Sequence, residues 1–287
     1  MQVHLTEFRL TTMCRVLGVH RSGFYAWQRE PKSLRSKDDE RLLGLIKQSW
    51  LESGTVYGYR KVTWDLRDLG ESCSRHRVAR LMRRHGLQAQ RGYRRRPRQG
   101  GGRPATVAPN RLDRQFNVGL PDRHWVTDIT YLKTHEGWLF LCVVVDLHSR
   151  QVVGWAMGGQ ITSELVLQAL TMAIWRRRPG PGLLLHSDQG CQFTSQPWQS
   201  FLKAHDIVCS MSRRGNCHDN AVAESFFQLL KRERVRRRIY DTREQARSDV
   251  FDYIEAFYNA KRRHGSANGL PPVEYERQFR ASAVLNV

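Results

Sequence analysis

Residues 125–132 read Trp125-Val126-Thr127-Asp128-Ile129-Thr130-Tyr131-Leu132. Aromatic and β-branched side chains dominate this stretch, which predicts a strand from Trp125 to Lys133. Asp128 stands in the middle of it, where a buried carboxylate lowers stability unless a partner compensates for the lost water. The stretch therefore predicts a central strand that carries a functional acid.

Two more strands follow this one directly. Residues 138–148 are nearly all apolar, which predicts a buried strand, and residues 151–158 form a third strand. The turn between the second and third strands is too short for a crossover connection. The first three strands are therefore expected to form an antiparallel meander.

Farther along the chain, helices and strands alternate. The predicted elements are a helix at 163–178, a strand at 183–186, a helix at 196–205, a strand at 207–210, and long helices at 220–236 and 242–264. Three antiparallel strands, a helix, and then strand, helix, strand and helix is the order of the ribonuclease H-like fold. The expected fold class is α/β, with a five-stranded mixed sheet flanked by helices.

The N-terminal third of the sequence is predicted to be helical. Gly18 divides residues 10–29 into a helix, a turn and a second helix, so segment 1–30 is predicted to be part of a helix-turn-helix. Residues 34–90 are predicted to form a helical DNA-binding domain, whose last helix spans 75–85. An apolar stripe on that helix underlies a set of arginines suited to a DNA groove. The arginines are Arg75, Arg77, Arg80, Arg83 and Arg84.

A stretch rich in Gly, Pro and Arg separates the two halves of the chain. Residues 91–112 are predicted to form a flexible basic linker, and residues 113–280 a catalytic core. The linker is expected to bind DNA phosphates through Arg94, Arg95 and Arg96.

The composition points to a nucleic-acid partner. The 287 residues include 47 Lys plus Arg against 27 Asp plus Glu, a net charge of +20. Such an excess indicates a polyanion as partner. None of the 6 Cys forms a C-x-x-C pair, which argues against a zinc site and favours reduced thiols. No signal peptide or membrane-spanning stretch is recognisable, so an intracellular protein without a membrane partner is expected.

Two further acids are placed to meet Asp128. Asp188 follows the short fourth strand, and Glu224 lies near the start of the helix that begins at about Asn220. Three converging carboxylates require a counter-charge. Mg²⁺ prefers carboxylate oxygens, and a pair of such ions supports phosphoryl transfer. The three acids thus predict metal-dependent chemistry on a phosphodiester.

Each acid also has a purely structural interpretation. Asp128 can cap a strand end, Asp188 can form an Asx-turn with Gly190, and Glu224 can cap its own helix or pair with an arginine. The convergence of all three favours catalysis over these alternatives. Supporting or structural roles are predicted for Asp146 and His186, whereas His218 and Asp219 are predicted to belong to a loop and helix cap instead of a metal site.

Five sequence blocks occur in a characteristic order. They are Tyr57-Gly58-Tyr59-Arg60, Trp125-Val126-Thr127-Asp128-Ile129-Thr130, His186-Ser187-Asp188-Gln189-Gly190, Asp219-Asn220-Ala221-Val222-Ala223-Glu224-Ser225-Phe226-Phe227, and Tyr258-Asn259 with Gly269-Leu270-Pro271-Pro272-Val273-Glu274-Tyr275. Between Asp188 and Glu224 lie 35 residues. Together the blocks resemble the OrfB transposases of the IS-three insertion-sequence family, a branch of the retroviral-integrase superfamily.

The resemblance implies a specific reaction. In such a DDE transposase, Asp128, Asp188 and Glu224 bind two Mg²⁺ or Mn²⁺ ions. Water cleaves the DNA at the ends of the element, and the freed 3′-hydroxyl attacks a second phosphodiester without a covalent protein–DNA intermediate. The resemblance also places Lys231, seven positions after Glu224, in contact with DNA near the site, and Gln228 lies one turn earlier on the same helix face.

The resemblance further implies partners and a location. The expected partner is double-stranded DNA, both the terminal inverted repeats and the target. A homo-oligomer on DNA is expected, together with an upstream OrfA-type protein or a frameshift fusion with it. The expected location is the bacterial cytoplasm, in association with the nucleoid.

Two other functions remain open at the level of sequence. One is a DNA-binding regulator with an inactive core, which the basic N-terminal helices support equally well. The other is a ribonuclease H-like nuclease, which cuts but does not rejoin. The intact triad argues against the first, and the 35-residue interval before Glu224 argues against the second.

Overall fold

The computed structural model describes residues 1–90, 107–213 and 217–285. The chain divides into two compact units, Met1–Ala89 and Gln90–Val287. Within the described residues, no helix is long and apolar enough to cross a membrane. The predicted linker arginines Arg94, Arg95 and Arg96 lie outside the described residues.

The N-terminal unit is entirely helical over its described length. A short 3₁₀ turn at Gln2–His4 precedes five α-helices. The helices are α1 (Leu10–Val16), α2 (Arg21–Arg29), α3 (Leu34–Glu52), α4 (Tyr59–Asp68) and α5 (Arg75–Arg84). The bounds of α5 agree with the predicted helix at 75–85 to within one residue, which is inside the usual uncertainty of helix ends.

The core of this unit lies between α3, α4 and α5. Ile46, Val62, Leu66 and Val78 are fully buried there. The hydroxyl of Ser74 accepts a hydrogen bond from Arg77 N at 3.2 Å, which caps α5 as its sequence predicts. Because α5 buries its apolar stripe inside the unit, its arginines occupy the remaining faces.

The C-terminal unit is built on one five-stranded sheet. The strands are β1 (His124–Thr134), β2 (Gly137–Asp146), β3 (Val152–Gly158), β4 (Leu184–Ser187) and β5 (Val208–Met211). Their spatial order is β3-β2-β1-β4-β5. The first three strands pair antiparallel, whereas β4 pairs parallel with both β1 and β5. The predicted meander and mixed sheet are confirmed.

Helices cover both faces of the sheet. They are α6 (Ser163–Arg177), α7 (Gln196–Ala204), α8 (Ala221–Glu233), α9 (Arg243–Asp252) and α10 (Pro272–Leu285). Successive side chains of β2 point to opposite faces, so Val144 packs in the core with α6 and α7, whereas Val143 packs in the core with α8 and α9. This double burial explains why the sequence of β2 is nearly all apolar.

The last two long helices end earlier than the sequence predicts. The α8 helix ends at Glu233, where the carboxylate accepts hydrogen bonds from Arg262 Nε at 2.7 Å and Tyr253 Oη at 2.7 Å. The predicted helix at 242–264 is α-helical only to Asp252 and continues as a π-helix over Tyr253–Asn259. These contacts are long-range in sequence, so helical periodicity alone could not predict them.

The π-helix ends on a side chain that completes the sheet edge. Asn259 Oδ1 accepts a hydrogen bond from Val152 N at 2.9 Å, and Asn259 Nδ2 donates one to Val152 O at 3.0 Å. The amide thus replaces a neighbouring strand at one residue of β3. An edge strand with satisfied backbone groups is a poorer template for pairing with another chain.

Gly154 of β3 allows α6 to approach the sheet closely. A Cβ at this position would lie 2.3 Å from Ala169 O and 2.7 Å from Ala173 Cβ. We expect Gly154→Ala to lower the free energy of unfolding by about 1–3 kcal/mol, the usual cost of overpacking a core. Urea unfolding monitored by circular dichroism measures the change.

Gly180 provides the matched control, since a Cβ there meets no atom within 4 Å. We expect Gly180→Ala to change the unfolding free energy by less than about 0.5 kcal/mol. Equal stability of the two variants would show that α6 does not depend on this close approach.

Candidate active site

Asp128 and Asp188 lie at the same level of two neighbouring strands. The parallel ladder between β1 and β4 pairs Val126 with His186 and ends there. Each acid follows its member of that pair by two residues. Because β4 ends at Ser187 while β1 continues to Thr134, the acids meet at a notch in the sheet where β1 loses its neighbour.

The third acid reaches this notch from α8. The helix packs its apolar side against the sheet through Ala223, Phe226 and Leu230, all buried in the same core as Val126. Glu224 stands in its first turn, next to Ala223. The charge of Glu224 contributes to the raised pKa of Asp128, which shows that α8 brings the third carboxylate within electrostatic range.

The electrostatics of the notch disfavour negative charge. Burial raises the pKa of Asp128 to about 8, repulsion by Asp188 and Glu224 adds to the rise, and a hydrogen bond from Ile129 N at 2.7 Å opposes it. Asp188 remains exposed at the surface, yet neighbouring protein atoms displace enough water to raise its pKa as well. Without a counter-charge, the three acids cannot all ionise at neutral pH.

The donor chemistry of the notch fits a hard divalent cation. The acids of the notch offer carboxylate oxygens, the type of ligand that Mg²⁺ prefers. A bound cation would offset the repulsion that contributes to the raised pKa of Asp128. Across residues 1–90, 107–213 and 217–285, however, no three His, Cys, Asp or Glu side chains are grouped closely enough to hold a metal ion. The acids therefore fit such an ion in kind but are not drawn together as a closed ligand shell.

Asp188 is held by its own turn. Gly190 N donates a hydrogen bond to Asp188 Oδ1 at 2.9 Å, which is the Asx-turn that the sequence allows. A Cβ on Gly190 would lie 3.0 Å from that oxygen and 3.2 Å from Gln192 Oε1. The turn therefore fixes the carboxylate and favours glycine at position 190. The Asx-turn, the structural interpretation of Asp188, is thus confirmed, and it is compatible with a catalytic role for the same carboxylate.

A neutral histidine, His186 of β4, lies two residues before Asp188 and its turn. Ser210 Oγ accepts hydrogen bonds from Arg111 N at 2.9 Å and Leu112 N at 3.2 Å, so its proton is available to His186 Nδ1, 2.9 Å away. His186 Nε2 then carries the ring proton and donates to Ser212 Oγ at 3.0 Å. Burial lowers the pKa of His186 to about 4, which keeps the ring neutral. The predicted supporting role fits this network.

Asp219 anchors the start of α8. Its buried carboxylate accepts hydrogen bonds from Arg213 N at 2.9 Å, Arg114 Nε at 2.9 Å and Asn110 Nδ2 at 3.0 Å. Its bonds with Arg213 hold the pKa of Asp219 well below its usual range. The carboxylate thus joins the segment at 110–114 and Arg213 to the residues that precede Glu224. The sequence places Asp219 in a loop and helix cap, and nothing local to it identifies Asn110 and Arg114 as partners.

Asn220 precedes α8 but does not cap it through its side chain. Its Nδ2 instead donates to Thr127 O at 3.1 Å, one residue before Asp128. This bond satisfies a carbonyl of β1 just beyond the last residue pair of the ladder between β1 and β4. Asn220 therefore joins the start of α8 to the strand that carries Asp128.

Lys231 lies near the notch. Its ammonium sits 4.7 Å from the ring centroid of Tyr131 and feels the charge of Asp128, although burial lowers its pKa. Gln228 lies one helical turn earlier and is exposed. The structure therefore brings Lys231 together with the acids and leaves Gln228 on the accessible surface of α8.

The predicted DNA-binding arginines of α5 divide into two groups. Arg77 is half-buried and pairs with Asp38 and Asp39, and Arg80 pairs with Asp39 at 2.8 Å. The sequence of α5 contains no acid, but α3 supplies these two from the neighbouring helix. The remaining three are exposed and form no ion pair within the described part of the chain. They are Arg75, Arg83 and Arg84.

Comparisons with known proteins agree with this architecture. Residues 120–217 and 224–279 match two models of the integrase core domain, and residues 37–97 match an HTH-like domain. The chain is 40% identical over 277 residues to transposase InsF for insertion sequence IS3A from Escherichia coli (strain K12), with 96% of each chain covered. The chain belongs to the IS3 family of insertion-sequence transposases. The predicted family is thereby confirmed.

Other relatives extend the comparison. A 31 kDa protein of insertion element IS600 from Shigella sonnei is 36% identical over 271 residues, which cover 94% of this chain and 100% of that protein. Among solved structures, the HTLV-2 integrase catalytic core domain in complex with magnesium is 20% identical, with a TM-score of 0.43 over 55% of this chain and 98% of that one. The catalytic core domain of BIV integrase is also 20% identical, with a TM-score of 0.43 over 57% and 99%.

Family membership defines the general activity. A transposase of the IS3 family with an integrase core acts in DNA transposition. The predicted fold class, an integrase catalytic core preceded by a helical, helix-turn-helix-like region, is confirmed by the matching family models.

The raised pKa of Asp128 predicts a pH-dependent cost in the metal-free protein. The folded chain keeps this proton up to about pH 8, whereas the unfolded chain releases it near 3.8. The free energy of unfolding therefore falls as pH rises between these values. Asp128→Asn removes this dependence. We expect the variant to be more stable than the parent at pH 8.5, and the difference to disappear toward pH 4.

Thermal unfolding in EDTA across this pH range measures the difference between the two proteins. Using the difference cancels the contributions of other titrating groups. A constant gap in melting temperature from pH 4 to pH 8.5 would contradict the assigned pKa of Asp128.

Proposed function

We propose that the chain cleaves DNA at the ends of an insertion sequence and joins the freed 3′-hydroxyl to a second phosphodiester. The catalytic residues in this proposal are Asp128, Asp188 and Glu224. The observation that carries it is the raised pKa of Asp128 at the notch where β4 ends, a rise to which burial contributes most and the charges of Asp188 and Glu224 add. A strongly perturbed carboxylate beside other acids is typical of catalytic centres.

The same three acids would hold two Mg²⁺ or Mn²⁺ ions. When bound, such ions neutralise the carboxylates, activate the attacking oxygen and stabilise the leaving oxygen. The chain itself orients the acids. Ile129 N fixes Asp128, Gly190 N fixes Asp188, and the buried Phe226 fixes the helix that carries Glu224. Lys231 would bind a phosphate of the DNA close to the reacting bond, with Gln228 beside it.

Sequence recognition would be a task of the N-terminal unit. The exposed side chains of Arg75, Arg83 and Arg84 offer positive charge without an internal acid to neutralise it, so they are suited to phosphate or base contacts. The net charge of +20 supports double-stranded DNA, at both terminal repeats and target, as the partner. The linker arginines Arg94, Arg95 and Arg96 would add phosphate contacts.

Synapsis of two DNA ends gives a reason for assembly. A homo-oligomer on DNA would bring the two ends of one element together, and an upstream OrfA-type protein or a fusion with it would add recognition. Substrate DNA of this kind places the protein on the bacterial nucleoid in the cytoplasm. These partners follow from the proposed reaction and are tested with it.

A strand-transfer assay tests the triad. Labelled duplexes carrying the element's terminal repeats are incubated with the protein and Mg²⁺ or Mn²⁺. We expect joined products from the parent protein. We expect Glu224→Gln and Asp128→Asn to reduce joining by at least about a thousandfold, because each removes a carboxylate on which metal binding and charge neutralisation depend.

The matched control is Glu164→Gln, which neutralises an exposed acid in the first turn of α6. It should leave joining unchanged. Metal-dependent cleavage without joined products would favour a nuclease instead. DNA binding without any metal-dependent chemistry, in the chain and in its fusion with the upstream protein, would favour a regulator.

The two groups of arginines on α5 predict different defects. Arg83→Ala should weaken DNA binding at every sequence and lower the slope of log affinity against log salt by about 1, because one phosphate contact is lost. Arg77→Ala should lower the stability of the N-terminal unit, because it leaves Asp38 and Asp39 without their half-buried partner.

Binding titrations at several salt concentrations, together with thermal unfolding, separate the two effects. A stable Arg83→Ala protein with an unchanged salt slope would remove α5 from the DNA interface.

A further inference from the structure

Two large aromatic side chains are exposed beside the catalytic notch. Tyr131 lies on β1, three residues beyond Asp128, and Trp138 lies on β2. Their relative exposures are 57% and 47%, and their ring centroids are 5.1 Å apart in an edge-to-face arrangement. Neither ring belongs to a hydrophobic core of the C-terminal unit. An aromatic pair that is exposed to solvent instead of packed in a core is typical of a binding surface.

The pair is connected to the acids through Lys231. The ammonium of this lysine lies 4.7 Å from the centre of the Tyr131 ring, and it also feels the charge of Asp128. From Asp128 to Tyr131 the strand advances by about 10 Å, the length of about three stacked nucleotides in one DNA strand, and because the residues are three apart their side chains leave β1 on opposite faces. Lys231 of α8 nevertheless contacts the Tyr131 ring, at the part of β1 that continues beyond the end of β4. A DNA strand whose phosphate is at the notch would pass over this edge of β1 to bring its bases to the rings.

The charges around the pair are mostly positive. Lys133 is exposed on the same strand, and Arg243 Nε donates to Trp138 O at 3.1 Å. The acids nearby have partners of their own. Glu136 accepts a hydrogen bond from Arg243 N at 2.8 Å, and Asp241 lies 3.6 Å from His135. Rings flanked by Lys231, Lys133 and Arg243 suit a ligand that combines a flat base with a phosphate.

We propose that Tyr131 and Trp138 form a stacking platform for an unpaired DNA base next to the reacting phosphodiester, with Lys231 binding the adjacent phosphate. The occupant must be unpaired, because the faces of bases inside a duplex are already covered by their neighbours. Stacking of a base on an aromatic ring is tolerant of sequence, so the platform places the strand without reading it. This inference rests on the proposed function, since the notch is taken to bind the reacting strand.

A binding experiment without metal tests the platform separately from the chemistry. The full chain is titrated with duplexes whose terminal nucleotides are unpaired, and with the same duplexes carrying abasic sites at those nucleotides. We expect the parent protein to bind the first ligand about tenfold more tightly. Tyr131→Ala and Trp138→Ala should each remove most of this preference, whereas Trp138→Phe should retain it, because the ring is what matters.

Trp175→Ala is the matched control, since Trp175 is 76% exposed on α6 and is absent from the platform. It should preserve the preference. The assay contains no metal, so it tests the platform separately from strand transfer. If the parent protein shows no preference for unpaired bases, the platform is wrong even when strand transfer succeeds. If the parent protein shows the preference but joins no DNA, only the proposed reaction is wrong.

Cross-linking of the unaltered protein removes any dependence on how variants fold. A 5-iodo-deoxyuridine placed at the unpaired position should cross-link on irradiation to the peptide that holds Tyr131 or Trp138. Cross-links confined to other peptides would overturn the proposal. So would equal affinity for unpaired and abasic ends, or Ala variants whose only defect is a change of oligomeric state by sedimentation, which would assign the rings to contact between copies.

Discussion

The parallel pairing of β1 with β4 ends at Val126 and His186, and the geometry of the candidate site depends on where it ends. Two residues farther along, Asp128 remains on a strand that continues, whereas Asp188 has entered a turn. Because β1 continues beyond the end of β4, the carboxylate of Asp128 is accessible although it lies on a central strand of the sheet. A longer β4 would pair with β1 at this level and close the space between the acids.

Placing acids in this notch lowers the stability of the metal-free protein. Hydrogen bonds and ion pairs of neighbouring groups with a fixed charge state compensate for this loss. His186 stays neutral and joins β4 to β5 through two serine hydroxyls. Asp219 stays ionised because Arg213 and Arg114 surround it. His186 and Asp219 hold the backbone with fixed charge states, so the three acids proposed as catalytic are the ones whose ionisation would respond to a bound cation.

The sequence predicted the parts of the site that obey short-range rules. Asp128 was identifiable because an acid interrupts an apolar strand, and Asp188 because it follows a short strand expected beside the first. What could not be predicted depends on contacts between distant segments. The pairing of Arg77 with Asp38 requires α3 and α5 to be adjacent, and the π-helix ends where Asn259 meets Val152. Hydrophobic periodicity describes one helix or strand at a time and contains no information on contacts between distant elements.

The same distinction separates what the fold determines from what the site determines. A five-stranded sheet with helices on both faces requires apolar residues on β2 and little else, so many sequences and chemistries are compatible with it. The proposed chemistry requires three acids around one notch and a helix with a positively charged side chain beside them. The α8 helix meets both needs, because it carries Glu224 and Lys231. Because one helix holds both residues, a movement that brings Glu224 toward Asp128 also moves Lys231. In the proposed reaction, closure around a cation and positioning of the DNA strand would therefore be coupled by the geometry of a single helix.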